Sequence, residues 1–206
     1  MSALEKLLGS QAKVKLIRLF YLNPEMVFPP REVVRRAQIS PSQARRELAL
    51  LLSLAFIKRG SAWAVSSSAR LNRKATRKKV AGFALNPSFT LFEELRNLAL
   101  TTAPVSRGEL VEKIRRTGRI KLIVLAGIFL KTNSRIDILI VGDRIRRGTV
   151  ERIIHAMEAD IGKELEYALL DTAEFKYRLG MYDKFVRDIL DYPHEVLVDK
   201  IGLDRQ

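Results

Sequence analysis

Four polar residues near the start of one predicted helix have side chains that can read bases in duplex DNA. They are Ser42, Gln43, Arg45 and Arg46. Glutamine can bind the edge of adenine through two hydrogen bonds, and arginine can bind guanine in the same way. A solvated helix face would hold the same residue types without any ligand. We predict that these four residues contact DNA.

A second group of basic residues lies between two predicted strands. Six of the ten residues from Arg70 to Lys79 are basic, and we expect this cluster to bind DNA through phosphates: Arg70, Arg73, Lys74, Arg77, Lys78 and Lys79. Such side chains displace counterions from a nucleic-acid backbone, which supplies affinity that does not depend on base sequence. The alternative is a basic loop that has no ligand.

The net charge of +14 is concentrated in the first part of the chain. Residues 1–87 contain 17 Lys and Arg against 4 acidic residues, a net charge of +13. Residues 88–206 contain 20 basic against 19 acidic residues, a net charge of +1. A charge that served only solubility would not have to be confined to one segment. The asymmetry therefore favours a polyanionic partner for residues 1–87.

The remaining composition excludes several kinds of site. The chain has no cysteine, which rules out disulfides, cysteine-ligated zinc and a cysteine nucleophile. Only His155 and His194 offer imidazole, so a site with several histidine ligands is not expected. No apolar run is long enough to span a bilayer, and the first residues lack the pattern of a secretory signal. We expect a cytoplasmic protein with no metal, no cofactor and no membrane partner.

The elements around Ser42 predict a helix-turn-helix. Apolar residues recur with helical spacing over 11–22, and a short helix is predicted from Arg31 to Ala37, just after two prolines. Ser40, Pro41 and Gln43 then form the capping box that begins a third helix. Helix-turn-helix proteins read bases with the first turns of this last helix, where the polar residues lie.

Apolar runs after the third helix predict strands. They cover residues 56–59, 63–65 and 80–85, and Gly60 with Ser61 predicts a turn between the first two runs. These strands would form a wing beside the third helix, with the basic residues of 70–79 in that wing. The predicted domain over residues 1–87 is therefore a winged helix-turn-helix.

Residues 88–206 predict a small α/β domain. A linker helix reaches about residue 100, and a capping box of Ser106 and Glu109 begins a helix whose end is marked by Gly118, expected in the left-handed region. Continuous apolar strands then alternate with helices, which predicts a mixed sheet covered on its faces. The predicted fold class is α+β with two domains, 1–87 and 88–206, and the linker helix belongs to the second.

The stretch Gly127 to Asp143, GIFLKTNSRIDILIVGD, resembles the active-site strand pair of the minimal nucleotidyltransferases of the DNA polymerase β superfamily. In that family a Gly-Ser pair holds nucleotide phosphate, and a Ser-Asp-x-Asp segment holds two metal ions. Three positions match: Gly127, Ser134 and Asp137. Ile128 and Arg135 stand where the family has serine and the first aspartate, and a cation at 135 would repel a metal ion. The resemblance implies an inactive site with a vestigial Asp137, paired to Arg135 or a neighbouring amide.

The order of motifs along the chain is similar to winged-helix transcriptional regulators fused to a nucleotidyltransferase-like domain. The opening residues, the segment ALNPSF and the segment EFKYRLGMYDKFVRDIL carry this resemblance over almost the full length. It implies a regulator that binds double-stranded DNA as a homodimer. The second domain would then serve dimerisation, sensing or the binding of a protein partner.

Two other functions stay open from the sequence. One is an active nucleotidyltransferase, which would need Asp137 and a second carboxylate to hold metal. The other is an interaction protein, such as the neutralising partner of a toxin–antitoxin pair, in which DNA binding serves autoregulation. Label transfer from a nucleotide would favour the first, and co-purification of a stoichiometric partner would favour the second.

Overall fold

A computed structural model of the protein describes residues 3–65, 77–101, 106–132 and 134–203. The protein is α+β. The chain divides into two compact units: the first contains Met1–Pro104 and Glu158–Lys163, and the second contains Val105–Met157 and Glu164–Gln206. Among the described residues, no helix has the length and apolar character that a bilayer-spanning segment needs.

The first unit consists of helices followed by a two-stranded antiparallel sheet and one more helix. Its elements are α1 (Ala3–Leu8), α2 (Gln11–Tyr21), α3 (Pro30–Ala37), α4 (Pro41–Ser53), β1 (Ile57–Val65), β2 (Arg77–Leu85) and α5 (Phe92–Thr101). The short connection between α3 and α4 contains Gln38, which adopts a left-handed conformation with φ of 49°. Such a residue ends a helix sharply and lets the next one begin at once.

The predicted turn at Gly60 and Ser61 is wrong, because β1 continues through both residues. Gly60 lies opposite Gly82 in the antiparallel pair. A side chain on Gly82 would lie 2.8 Å from the carbonyl oxygen of Phe28, and one on Gly60 would lie 3.2 Å from Val27. The segment before α3 thus packs on the hairpin where side chains are missing. These glycines permit close packing and do not mark a reversal of the chain.

A connected group of aromatic rings forms part of the core of the first unit. Phe56 packs edge-on against Phe20, Tyr21 and Phe89, and Tyr21 packs in the same way against Phe92. The Tyr21 hydroxyl also donates a 2.8 Å hydrogen bond to the Phe92 carbonyl.

The predicted boundary after residue 87 assigned the linker helix to the second domain. The structure instead places α5 in the first unit, because these aromatic contacts continue beyond the boundary.

The remaining elements form a mixed four-stranded sheet and its helices. They are α6 (Arg107–Arg115), β3 (Arg119–Leu125), β4 (Ile138–Asp143), α7 (Arg147–Ile161), β5 (Tyr167–Leu170), α8 (Thr172–Gly180), α9 (Lys184–Leu190) and β6 (Glu195–Asp199). The strand order is β5-β4-β3-β6. Strand β4 pairs parallel with β5, whereas β3 pairs antiparallel with both β4 and β6. The prediction of a mixed sheet is confirmed.

Three local predictions for this part of the chain differ from the structure. The strand predicted from Arg135 begins at Ile138, because the residues before it belong to a loop around Asp137. Ser106 makes no capping hydrogen bond to α6. Gly118 has no left-handed φ, and a side chain there would lie 2.9 Å from the Arg144 carbonyl oxygen. Gly118 therefore serves the close approach of two backbone segments.

Candidate nucleic-acid interface

The start of α4 is fixed by the predicted capping box, which is confirmed. The Gln43 backbone N–H donates to Ser40 Oγ at 3.2 Å, and the Ser40 N–H donates to Gln43 Oε1 at 3.0 Å. Pro41 occupies the first helical turn, where a missing N–H costs nothing. Because the cap uses Gln43 Oε1, this side chain must release its capping contact before it can read adenine with both its oxygen and its nitrogen.

The four predicted base-contacting residues lie on the exposed side of α4, and we call them the α4 surface: Ser42, Gln43, Arg45 and Arg46. Ala44, Leu48 and Leu51 are buried on the opposite side. Arg46 donates to Glu47 Oε1 at 3.2 Å, yet 72% of its side chain remains exposed. Arg45 has no ion pair with any described residue. Two guanidinium groups are thus presented to solvent by an anchored helix.

A groove of 580 Å³ lies between α3, α4 and the hairpin. Its floor is apolar and includes Val34, Leu48 and Phe83. Its rim carries Arg31 from α3 and Arg59 from β1 in addition to Arg45. Within the described ranges, neither Arg31 nor Arg59 pairs with a carboxylate. Neither residue is predictable from the sequence, because no single spacing connects cations on three different elements.

The other arginines of α3 are held by one carboxylate. Arg35 Nε donates to Glu32 at 2.9 Å, and Arg36 Nε donates to it at 2.8 Å. The hydrogen bond from Arg35 makes the largest contribution to lowering the pKa of Glu32, to about 2. Arg36 also lies over the Phe28 ring, 5.4 Å from its centroid. These two arginines therefore stabilise α3 and its surroundings, whereas Arg31 is left to attract an anion.

The predicted phosphate contacts of the hairpin fall partly outside the described residues. Arg70, Arg73 and Lys74 lie in the range 66–76, which the structure does not describe. The backbones of Arg77 and Lys78 belong to β2, opposite Val65 and Ala64 of β1. Lys79 also lies in β2, and its side chain is exposed. The described hairpin thus begins its second strand with three consecutive basic residues.

Both carboxylate oxygens of Asp137 accept hydrogen bonds from backbone amides. Ile128 N–H donates to Oδ1 at 2.8 Å, and Glu166 N–H donates to Oδ2 at 3.0 Å. A side chain on Gly127 would collide with Oδ1, so the glycine lets this loop close around the carboxylate. Arg135 pairs instead with Asp188 at 3.3 Å. Asp137 therefore joins the loop before β4 to the start of β5.

The same loop holds hydroxyl groups without partners. Thr132 Oγ1 and Ser134 Oγ are buried, and neither has a hydrogen-bond partner among the residues that the structure describes. No group of three or more His, Asp and Glu side chains in the described ranges is placed to hold a metal ion. The described part of this loop can therefore bind a ligand through hydrogen bonds from backbone and hydroxyl groups.

Comparison with family models, with characterised proteins and with solved structures finds no match to this chain.

Proposed function

We propose that the protein is a transcriptional regulator that binds double-stranded DNA through a winged helix-turn-helix in its first unit. Helix α4 enters the major groove, and the β1–β2 hairpin acts as the wing that contacts phosphates. The observation that carries this proposal is the α4 surface, a polar helix start opposite a buried apolar side. A helix of this kind can present Arg45 and Arg46 to base edges while its packing holds it rigid.

The arginines around the groove extend the proposed contact. Arg31 and Arg59 line the same groove as Arg45 from neighbouring elements, so a phosphate backbone that runs along this groove would meet cations from α3, α4 and β1. Contacts to phosphates set the register of the protein on DNA, whereas contacts to bases set its sequence preference. We therefore assign positioning to Arg31 and Arg59, and base contact to the α4 surface.

Substitution of Arg45 and Arg46 tests the proposal. The change of both to Ala should weaken binding to a selected DNA site by about tenfold or more, because each good arginine–guanine contact contributes about 1–3 kcal/mol. Binding to unrelated duplexes should fall much less. The control is Lys176→Ala with Lys184→Ala, which removes two exposed cations elsewhere. Equal site preference for both double variants at the same salt concentration would remove the α4 surface from the interface.

We propose that the second unit is a nucleotidyltransferase-like fold without catalysis. The surroundings of Asp137 support the absence of catalysis, because backbone amides already donate to both of its oxygens. Incubation with labelled ATP or CTP and Mg²⁺ should then transfer no label to protein, RNA or small molecules. Transfer that disappears in the Asp137→Ala variant would establish the enzyme instead.

We further propose that the second unit binds another copy of the chain. Tyr177 and Met181 lie four residues apart at α8, and both are exposed together with Tyr182 and Tyr192. Exposed apolar side chains of this size are typical of interaction sites, and a dimer would read two half-sites. Sedimentation should show a dimer that Tyr177→Ser with Tyr182→Ser dissociates. Stoichiometric co-purification of a different protein would favour the antitoxin-like function.

A further inference from the structure

Six exposed arginines of the second unit lie on two short segments that are far apart in sequence. They form what we call the arginine cluster: Arg115, Arg116, Arg119, Arg144, Arg146 and Arg147. The first three run from the last residue of α6 to the first residue of β3, and the last three run from the end of β4 to the first residue of α7. Neither segment alone is unusual, because each is a short basic stretch at the end of an element.

The fold holds these two segments side by side. Arg119 is the register partner of Asp143 in the β3–β4 pair. The Arg146 backbone N–H donates to the Thr117 carbonyl at 2.9 Å, and the Arg146 guanidinium donates to the Arg116 carbonyl. Gly118 permits this approach, since it has no side chain to meet the Arg144 backbone. The cluster is therefore part of the folded backbone arrangement.

The charge of the cluster is poorly compensated. Residues 115–119 and 143–147 contain six arginines and one acidic residue, a net charge of +5. Since residues 88–206 carry +1 in total, the rest of that segment carries −4. Arg116 pairs with Glu112 at 3.2 Å. Four cluster members have no ion pair with any residue in the described ranges: Arg115, Arg119, Arg144 and Arg147.

The surroundings of the cluster favour a phosphate ligand over a protein. None of the large apolar side chains that are exposed in the described chain lies within residues 115–119 or 143–147. A protein interface usually has an apolar centre, whereas a phosphate backbone needs only cations and hydrogen-bond donors. Arginine supplies both, with several N–H groups on each guanidinium. We propose that the arginine cluster binds the phosphate backbone of duplex DNA and does not read its sequence.

The dependence of DNA affinity on salt tests this proposal in the full chain. Arg144→Gln with Arg147→Gln is compared with Lys176→Gln and Lys184→Gln, which removes the same charge outside the cluster. The probe is a duplex of mixed sequence. Loss of two phosphate contacts should reduce the slope of log K against log salt concentration by about 1.8. The control variant should keep the slope of the unchanged protein, and circular dichroism should show that both variants are folded.

The same measurements separate this proposal from the one for the first unit. The Arg45→Ala and Arg46→Ala variant should lose preference for a selected site, whereas the cluster variant should keep that preference and bind all duplexes more weakly. If α4 does not bind DNA, the cluster variant still shows the reduced slope. A folded cluster variant whose slope equals that of the control overturns the proposal, whatever the α4 variant does.

Discussion

The α4 surface and the arginine cluster are two positively charged surfaces that the chain builds in different ways. The α4 surface comes from consecutive residues on one helix, and its geometry follows from helical spacing and a capping box. The arginine cluster comes from segments about 30 residues apart, joined by a strand register and by two hydrogen bonds to backbone carbonyls. The first surface combines amide, hydroxyl and guanidinium groups, and the second consists of guanidinium groups alone.

This difference explains why net charge is a poor guide to the second surface. Residues 1–87 carry +13 and residues 88–206 carry +1, so a count by segment points only to the first. Acidic residues elsewhere in 88–206 offset the positive charge of the cluster in the net charge of the segment. They reduce the local positive potential only where they lie close to the cluster. Exposed charges further apart than about 10 Å are largely screened at moderate salt concentration. Local charge therefore matters more for binding than the total.

A substitution at Gly118 should have the largest effect of these predictions, because it disturbs the backbone that holds the arginine cluster together. In Gly118→Ala the new methyl group would lie 2.9 Å from the Arg144 carbonyl oxygen and from Ile145 Cα. Backbone must shift to admit it, so we expect the free energy of unfolding to fall by about 1–3 kcal/mol in a urea titration. The salt slope of DNA binding should also decrease. Gly148→Ala, where the new methyl group would meet nothing within 4 Å beyond its chain neighbours and its own helix backbone, should keep both stability and slope.

Loss of the α4 cap should reduce stability less than the substitution at Gly118 does. Ser40→Ala removes the Oγ that accepts from the Gln43 N–H, and this should lower the free energy of unfolding by about 1 kcal/mol. Thermal unfolding measures the change, and Ser40→Asn is the matched variant that keeps a capping oxygen. Site preference should fall in Ser40→Ala, because the first turn of α4 frays. A variant with full stability would show that Pro41 alone holds this turn.

The smallest change in the free energy of unfolding should come from protonation of Glu32 at low pH, which breaks the ion pairs of α3. The folded pKa of Glu32 is lowered from 4.5 to about 2, so its stabilisation is complete above pH 4.5 and is lost as the pH falls towards 2. These pairs are partly exposed, and we expect about 0.5 kcal/mol from them at low salt concentration. Glu32→Gln should remove this part of the acid sensitivity in urea titrations at several pH values. An unchanged pH dependence would contradict the assignment.

The sequence predicted local features well and failed where one residue type serves two purposes. The cap of α4 was predictable because all its groups lie within four residues. In the sequence Gly60 predicts a turn and Gly118 predicts a helix end, yet each allows a close contact, Gly60 with Val27 and Gly118 with the Arg144 backbone. A glycine looks the same in sequence for either role. What distinguishes the roles is a partner that is distant in the chain.

The candidate sites show the same limit. Arg45 and Arg46 were predicted because helix spacing places them on one exposed side. Arg31 and Arg59 were missed because they reach the rim of the same groove from α3 and β1. For Asp137 the sequence allows two partners, Arg135 or a backbone amide. The structure provides amides, and the donors come from two separate segments that only the sheet brings to the carboxylate.

The bridge between Phe28 and Phe83 has a mechanical consequence. These two residues exchange backbone hydrogen bonds of 2.8 and 2.9 Å, so the hairpin is clamped to the segment that leads into α3. The bridge lies near the inner end of β2, and most of the paired strand length projects beyond it. The hairpin is therefore held at one end, and a force on its far end would be passed through the Phe28–Phe83 bridge to the segment that begins α3.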